Sequence, residues 1–482
     1  MPGNDRVFVG CGAGFSGDRI DAPLPVVRTL IRSGAPAAIM FETLGERTLA
    51  LAQLARLENP DRGYEPLLER MLEPVLEPCL RHRIPILGNF GAANPPAAAQ
   101  AILALAHRLG CRRPRVAIVV GDDLVASGRV PSLEYDPGHA RSGGRILSAN
   151  AYLGAQPLVE ALDGGADVVV TGRVADPSLA LAPFAHFLGW SLDDRMRVAA
   201  GTLAGHLLEC GAQVSGGYYA DPGRKDVPDP HRIGFPIVEM HRDGAFTIGK
   251  ADDTGGRVDR HTVTEQILYE IHDPARYLTP DVVLDVTDVE LDEVAPDRVR
   301  VAGARGHERP GRLKVTVGRD AGWVGEAEIS YAGPNAVARG RLAIDIVRRR
   351  LGDGVRMRAD LIGVASVFND DAGVALDAGA RARARIAAPC AGDAPPCAGD
   401  PRVAGEPEGV RWPGAGDDVR VRIAVAASSR ESAARAGEEV LALYTCGPAG
   451  GGGVRSSIRR RIATSSAFIA RDAVVPAVEF LS

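Results

Sequence analysis

The sequence lacks the features that would place it in a membrane or in an oxidising compartment. No apolar run reaches the ~18 residues that a transmembrane helix requires, so we expect no membrane-spanning segment. Residues 1–6 lead directly into a predicted strand, without the apolar core of a signal peptide. The seven cysteines form neither a CxxC pair nor a zinc-ligand spacing with histidine. This predicts free thiols, no metal site and a cytoplasmic location.

Charge of one sign does not dominate the sequence either. The formal net charge is −5, and acidic and basic residues are interspersed. A nucleic-acid-binding protein needs a basic patch, so we expect a small-molecule ligand and no nucleic-acid partner. Aromatic residues are scarce at 5%, but 45% of the residues are hydrophobic, as in other globular proteins. The 482 residues are enough for roughly three folding units.

Short apolar and β-branched runs alternate with helical stretches over residues 6–180. Strands such as 37–41 and 167–171 show no polar alternation, which is typical of strands covered by helices on both faces. This pattern predicts an α/β fold with a mostly parallel sheet. We favour a doubly wound open sheet, with a closed barrel as the alternative. Locally, residues 64–81 predict one helix, and Thr262-Val-Thr-Glu265 predicts a helix start through a capping box.

Changes in composition and pattern divide the chain into four regions. Residues 1–230 form the predicted α/β ligand-binding core, and residues 231–365 form an associated α+β region of the same domain. Residues 387–417 are rich in Ala, Pro and Gly, which predicts a linker. Residues 418–482 predict a small ferredoxin-like module. Because roughly 65 residues make a marginal core alone, we expect this module to mediate a homo-oligomer.

Polar side chains follow several of the predicted parallel strands. They are Glu42, Asn89, Asn94, Arg173 and Asp176. Ligands of open α/β sheets bind in the crevice beyond the carboxyl ends of the strands, so we expect these side chains to converge on one ligand site. The alternative is that they form Asx turns and helix caps, with Arg173 and Asp176 paired structurally.

The residue types suggest roles at this site. Arg173 would hold a carboxylate or phosphate through its planar guanidinium, and Asn94 would orient a carbonyl or hydroxyl group. Glu42 or Asp176 would act as the general base, because a carboxylate shielded from water beside another acid has a raised pKa. We therefore predict Glu42 and Asp176 as catalytic residues, and Asn89 together with Asn94 and Arg173 as ligand-binding residues.

Glycine-rich segments supply further ligand-binding candidates. Gly12-Ala-Gly14-Phe-Ser-Gly17 matches the GxGxxG pattern of dinucleotide-binding loops, but prolines and acidic residues follow it where a helix should begin. We therefore expect Gly12, Gly14, Gly17 and Arg19 to cover the ligand site, and a dinucleotide is the alternative. Thr254-Gly255-Gly256 is a second candidate, since glycine-rich backbone can turn its N–H groups toward an anion.

Several longer motifs resemble a known family. They are Gly12–Ala22, Glu46–Gln53, Gly91–Pro95, Thr171–Ser178, Ala200–Gly211, Tyr269–Pro274, Leu278–Asp281 and Tyr444–Gly453. Together they are similar to the acyclic terpene utilisation (AtuA) family over nearly the whole chain, with a departure at Asp253, where the family pattern has Gly. The resemblance implies an AtuA-type domain to residue 365 and a ferredoxin-fold C-terminal domain. It also implies a link to the degradation of citronellol- and geraniol-type terpenes as coenzyme A thioesters.

Three functions remain open at this point. We favour a lyase or hydro-lyase acting on a branched hydroxy-acyl-CoA or a related carboxylate, because carboxylates, Asn and Arg follow the strands without a nucleophile elbow or a redox motif. The second function is a non-catalytic acyl- or CoA-binding subunit of a larger complex, and the third is a nucleotide-dependent oxidoreductase. The sequence identifies no cofactor, and a coenzyme A thioester is the expected substrate class.

Overall fold

The computed structural model describes residues 5–135, 143–352, 354–364, 366 and 418–481. The predicted linker 387–417 lies outside the described residues. The chain forms two compact units: a larger one that runs to Arg319 and resumes at Ala463, and a smaller one over Asp320–Ile462. Among the described residues, no helix is both long and apolar enough to cross a membrane.

The strands and helices have the following bounds. The strands are β1 (Arg6–Ala13), β2 (Ala37–Phe41), β3 (Ile86–Gly88), β4 (Val116–Val120), β5 (Ile146–Ala151), β6 (Val168–Thr171), β7 (Pro236–His241), β8 (Phe246–Lys250), β9 (Tyr277–Leu278), β10 (Val283–Asp285), β11 (Glu290–Ala295), β12 (Arg298–Ala302), β13 (Arg305–His307), β14 (Arg312–Ala332), β15 (Arg356–Ile362), β16 (Asp418–Ala427), β17 (Gly452–Ala470) and β18 (Ala477–Leu481). The helices are α1 (Pro23–Ser33), α2 (Glu46–Glu58), α3 (Leu68–Leu72), α4 (Leu76–His82), α5 (Pro95–Arg108), α6 (Gln156–Asp163), α7 (Ser178–Leu188), α8 (Arg195–Glu209), α9 (Arg260–Leu268), α10 (Ala336–Leu351) and α11 (Arg430–Cys446).

The larger unit is built on a ten-stranded sheet in the order β11-β12-β8-β7-β1-β2-β3-β6-β4-β18. The central strands β1, β2, β3, β6 and β4 are parallel, and the flanking strands are antiparallel. β2 and β6 are buried along their whole length, which explains their uninterrupted apolar sequences. The predicted α/β class is confirmed. The described part of this sheet is open at β11 and β18, so the barrel alternative is wrong.

The smaller unit contains, in its described residues, β14 from Asp320 onward, α10, β15, β16, α11 and β17 as far as Ile462. This β-α-β-β-α-β succession is the ferredoxin-like motif, and the sheet order is β15-β16-β14-β17. β16 pairs with both β14 and β15. The predicted module 418–482 therefore shares its sheet with earlier strands, and its residues 463–482 belong to the larger unit. Because residues 418–462 pack with earlier strands of the same unit, they do not form a core alone. The homo-oligomer stays a prediction.

Two local predictions are wrong in their boundaries. The helix predicted over 64–81 is divided into α3 and α4. The helix expected to begin at Thr262 begins at Arg260, because Asp259 is its cap and accepts hydrogen bonds from the N–H groups of His261 and Thr262. Aspartate is a stronger cap than threonine, and Thr262 instead completes the capping box from within the helix.

Helix α8 approaches the backbone next to Asp176 through a glycine. A methyl group added at Gly205 would lie against the carbonyl oxygen of Pro177 and 2.7 Å from its Cα. A methyl group at Gly201, one turn earlier, would meet Cδ1 of Leu181 at 2.6 Å, which is the end of a flexible side chain. The bare backbone at Gly205 therefore sets how closely α8 packs against Pro177.

We predict that Gly205→Ala destabilises the protein by about 1–3 kcal/mol, although alanine favours helices over glycine. The backbone of Pro177 cannot move aside as a side-chain methyl group can. Gly201→Ala, in the same helix, is the matched control and should change the free energy of unfolding by less than about 1 kcal/mol. Urea denaturation measures both variants, and equal free energies of unfolding for the two would contradict the prediction.

Candidate active site

The parallel strands of the larger unit end at one edge of the sheet, where several predicted polar residues follow them. Glu42 follows β2, Asn89 follows β3, and Arg173 comes two residues after β6. Asp122 comes two residues after β4. Because parallel strands place their carboxyl ends on the same side, the topology brings these residues to one edge.

Six acidic residues line a pocket of about 500 Å³ at this edge, which we call the acidic pocket. They are Asp18, Glu42, Glu46, Asp176, Glu209 and Glu270. Gly14 and Phe15, from the loop predicted to cover the site, also line this pocket. Neighbouring carboxylates disfavour one another's ionised forms, so such a pocket is suited to holding and transferring protons.

A second cavity, of about 450 Å³, has a mainly apolar lining, and we call it the apolar cavity. Its walls include Tyr277, Leu278, Leu313 and Phe468. Asp176 lines both the apolar cavity and the acidic pocket. An apolar ligand in the second cavity would therefore contact a carboxylate where the two spaces meet.

A buried guanidinium holds Asp176 in this position. The Arg173 side chain is 1% exposed, and its Nη2 donates to Oδ1 of Asp176, which is 32% exposed. The guanidinium lies 4.3 Å from the ring centre of Tyr152, and the backbone N–H of Arg173 donates to Asp122 at 2.8 Å. The pKa of Asp176 is raised overall, chiefly by burial. The charge of Arg173 lowers this pKa, and the charge of Glu46 raises it.

Glu42 is 8% exposed and is fixed by two donors to the same oxygen. Its Oε1 accepts hydrogen bonds from the backbone N–H of Leu44 at 2.7 Å and from Nδ2 of Asn89 at 2.8 Å. Asn89 is oriented in turn, because its Oδ1 accepts from the backbone N–H of Thr43 at 2.7 Å. Burial and, after it, the charge of Asp176 raise the pKa of Glu42 to about 8. Glu42 is therefore largely protonated at neutral pH, and Asn89 positions it.

Glu46, four residues further along the chain, is shifted in the opposite direction. Its Oε1 accepts hydrogen bonds from the hydroxyl of Tyr152 at 2.7 Å and from Nζ of Lys314 at 3.1 Å. Partial burial alone would raise the pKa, but these donors lower the pKa of Glu46 to about 2. The acidic pocket thus contains one glutamate that is neutral and one that is ionised at neutral pH.

His206 and Glu209 form a buried pair one helical turn apart on α8, and Glu209 belongs to the acidic pocket. Nδ1 of His206 lies 2.8 Å from Oε1 of Glu209. In the part of the chain that the structure describes, Nε2 of His206 and Oε2 of Glu209 are buried without a hydrogen-bond partner. Burial raises the pKa of Glu209 to about 7, although His206 lowers it.

Asn94 is not among the residues that line the two cavities. Its Nδ2 donates to the carbonyl oxygens of Pro60 and Arg62, both at 2.7 Å, and it immediately precedes α5. The structure therefore uses this amide to hold the loop that follows α2, and Asn94 does not line the acidic pocket with Glu42.

The loop that contains the GxGxxG pattern directs its donors into the protein. Gly14 and Arg19 donate their backbone N–H groups to the carboxylate of Asp18, at 2.9 and 2.8 Å. The Arg19 guanidinium is also bonded within the protein. Gly12 lies inside β1, and Gly17 has a φ of +99°, which favours glycine in a turn. The loop covers the acidic pocket, but these N–H groups are not directed at a phosphate.

The segment Thr254-Gly255-Gly256 does not form the anion site that its glycines suggest. The N–H of Gly255 donates to the carbonyl oxygen of Arg232 at 2.8 Å, and that of Gly256 to Pro228 at 2.7 Å. The Thr254 hydroxyl donates to the carbonyl oxygen of Ala251. These donors are already satisfied, and the residues that line the two cavities do not include this segment.

Some residues of the site were not predicted from the sequence. They are Asp18, Glu46, Tyr152, Glu209, Glu270, Tyr277 and Lys314. Tyr152 and Lys314 come together because β5 pairs with the first part of β14, and no local pattern reveals such a pairing. Over the described ranges, no group of three or more His, Cys, Asp or Glu side chains is arranged to hold a metal ion.

The model of the acyclic terpene utilisation family protein AtuA matches residues 7–480. The chain belongs to the AtuA family. The resemblance noted in the sequence motifs is therefore confirmed. No curated protein and no solved structure matches the chain. All residues that line the two cavities fall within the range shared with AtuA.

We predict that Glu42 lowers the stability of the protein as the pH rises. Its pKa is raised from 4.5 to about 8 in the folded state, so between these values the folded protein keeps a proton that the unfolded chain has lost. The free energy of unfolding should therefore fall across this window, by at most about 1.4 kcal/mol per pH unit. Glu42→Gln removes this dependence and should gain stability relative to the wild type from pH ~5 to pH ~8.

Glu46→Gln is the matched control in the same pocket. The pKa of Glu46 is lowered to about 2, so Glu46 makes the stability depend on pH only at and below its ordinary pKa of 4.5. The stability difference between Glu46→Gln and the wild type should therefore stay constant from pH ~5 to ~8. Urea denaturation at several pH values in this range measures both variants. Parallel stability curves for the wild type and Glu42→Gln would show that the Glu42 pKa is not raised.

Proposed function

We propose that this AtuA-family protein is a lyase of the hydro-lyase type, which removes water from, or adds it to, a branched acyl compound. The acyl compound would be a coenzyme A thioester or a related carboxylate. The observation that supports this most directly is the position of Asp176, which is held by Arg173 where the apolar cavity meets the acidic pocket. A carboxylate at such a boundary can act on one carbon of an otherwise apolar ligand.

The charges around the apolar cavity support an apolar acyl chain as its occupant. Lys314 pairs with Glu46 at 3.1 Å, and Arg312 pairs with Glu134 at 2.9 Å. The cationic side chains that line the cavity are therefore balanced by carboxylates of the protein. Burying a further charge beside them would be costly, whereas a branched hydrocarbon chain would gain from contact with the apolar wall.

Two of the acidic-pocket carboxyl groups with raised pKa values, Asp176 and Glu42, would divide the acid and base roles. Asp176 would remove the proton from the carbon next to the carbonyl group, with Arg173 favouring its ionised form before the step. Glu42 accepts both of its hydrogen bonds at Oε1, so the proton of its neutral form would reside on Oε2. Glu42 would give that proton to the departing hydroxyl group. One C–H and one C–O bond break, a C=C bond forms, and water leaves.

The same steps in reverse add water to the double bond. After the elimination, exchange with solvent removes the proton from Asp176 and returns one to Glu42; after hydration the two exchanges run in the opposite direction. Two carboxyl groups whose environments give them different proton affinities are a recurring arrangement for acid–base catalysis. The dinucleotide alternative receives less support, because the N–H groups of Gly14 and Arg19 donate to Asp18.

We predict that Asp176→Asn and Glu42→Gln each reduce turnover by about 100-fold or more, the usual contribution of general acid–base groups. The full-length protein is incubated in heavy water with branched α,β-unsaturated and β-hydroxy acyl-CoA thioesters. Ultraviolet absorbance follows the conjugated thioester, and mass spectrometry follows deuterium at the carbon next to the carbonyl group. Glu42→Gln should still exchange that hydrogen, because Asp176 remains, whereas Asp176→Asn should lose exchange and turnover together.

Glu265→Gln is the control for removal of a carboxylate elsewhere, because Glu265 forms an exposed ion pair with Lys225 and such pairs contribute little. It should keep wild-type turnover. Undiminished turnover in both site variants would overturn the assignment of roles. Tight binding of the thioesters by the wild type without any turnover would favour the non-catalytic acyl-binding subunit instead.

A further inference from the structure

Two arginines that form no ion pair within the described part of the chain line a small pocket near the apolar cavity. Arg309 and Arg471 contribute to this pocket of about 140 Å³, which also contains Asp281 and Leu313. Leu313 lines the apolar cavity as well, so the two spaces adjoin. We call this space the arginine pocket.

Two segments that line the apolar cavity fix the Arg471 guanidinium. Its Nε and Nη2 donate to the carbonyl oxygen of Pro310 at 3.1 and 3.0 Å, and Nη2 also donates to that of Pro280 at 2.6 Å. Pro280 and Pro310 both line the apolar cavity. These bonds orient Arg471 without neutralising its charge, because a carbonyl group carries no net charge.

Other arginines in the same stretch of chain are neutralised by carboxylates. Arg305 pairs with Asp288, and Arg312 pairs with Glu134. Among the described residues, neither Arg309 nor Arg471 has such an ion pair. The difference matters because two like charges held close together repel each other unless an anion lies near them.

Asp281 only partly offsets these charges. Its Oδ1 accepts a hydrogen bond from the backbone N–H of Ala155 at 2.8 Å, and its Oδ2 accepts one from the Ser178 hydroxyl at 2.5 Å. Both carboxylate oxygens of Asp281 thus accept hydrogen bonds from neutral donors. The pocket contains two cationic side chains, Arg309 and Arg471, and one carboxylate. Partial burial and the charge of Arg309 lower the pKa of Arg471, as expected for a cation held beside another without full compensation.

We propose that the arginine pocket binds a phosphate group of the ligand whose acyl chain occupies the apolar cavity. Guanidinium donors match the oxygens of a phosphate group, and Nη1 of Arg471 takes no part in the bonds to Pro280 and Pro310. An anion between Arg309 and Arg471 would also remove their repulsion. This inference rests on the proposed function, because it names the polar end of that substrate. It assigns the substrate to the phosphate-bearing thioesters rather than to free branched acids.

The test is calorimetric titration of the full-length protein with inorganic phosphate, with adenosine 3′,5′-bisphosphate and with coenzyme A. Arg309→Gln should weaken binding of the bisphosphate and of coenzyme A by roughly 10- to 100-fold, the range expected for a lost hydrogen bond to a charged group. Arg305→Gln, which removes an exposed arginine that is already paired, is the matched control and should leave binding unchanged. If Arg309→Gln also weakens the binding of inorganic phosphate, the phosphate group itself binds in the arginine pocket.

Failure of this inference can be told apart from failure of the proposed function, because the probes carry no acyl chain and require no turnover. Turnover of acyl thioesters with an Arg309→Gln variant that binds coenzyme A as tightly as the wild type would overturn the inference alone. No binding of any of the three probes by the wild type would overturn it as well. Melting temperatures of the variants show whether each is folded, and Arg471→Lys gives a second variant that keeps the charge but loses the fork of donors.

Discussion

Burial of the Arg173 guanidinium is the constraint around which the candidate site is arranged. A charged group removed from water costs several kcal/mol unless it is paired and hydrogen-bonded, and this side chain is 1% exposed. Asp176 supplies the ion pair, and the ring of Tyr152 covers the guanidinium. In the described structure Nε and Nη1 of Arg173 are buried without a hydrogen-bond partner, so its compensation depends strongly on Asp176. Asp176, the carboxylate that lines both cavities, is thus also needed to compensate the buried charge of Arg173.

The protein holds this pair in place by fixing the backbone of the segment that carries it. Asp122, at the end of β4, accepts hydrogen bonds from the backbone N–H of Arg173 and from Nδ2 of Asn150, both at 2.8 Å. Next to the Arg173–Asp176 segment, α8 packs against Pro177 through the bare backbone of Gly205. Contacts made to the backbone of this segment leave it little freedom, and a reacting carboxylate must be held to a fraction of an ångström.

The sequence allowed much of the sheet and part of the site to be predicted. Uninterrupted apolar strands indicated parallel pairing, and parallel pairing put Glu42, Arg173 and Asp176 at one edge. The same reasoning failed for Asn94, because a ligand-binding asparagine and a loop-holding asparagine look alike at the end of a strand. It could not find Tyr152 and Lys314, which approach each other only through the pairing of β5 with β14. Contacts between residues so distant in sequence leave no local periodicity.

The contrast between Glu42 and Glu46 shows why residue type alone could not assign roles in this site. The two side chains have the same chemistry and are four residues apart, yet the pKa is about 8 for one and about 2 for the other. Glu42 receives two neutral donors and faces the charge of Asp176, whereas Glu46 receives the cation of Lys314 and a tyrosine hydroxyl. Only the groups brought together by the tertiary fold decide which glutamate keeps its proton. A carboxyl group that is neutral beside ionised ones can donate a proton at neutral pH. The fold creates this difference between two glutamates that are only four residues apart.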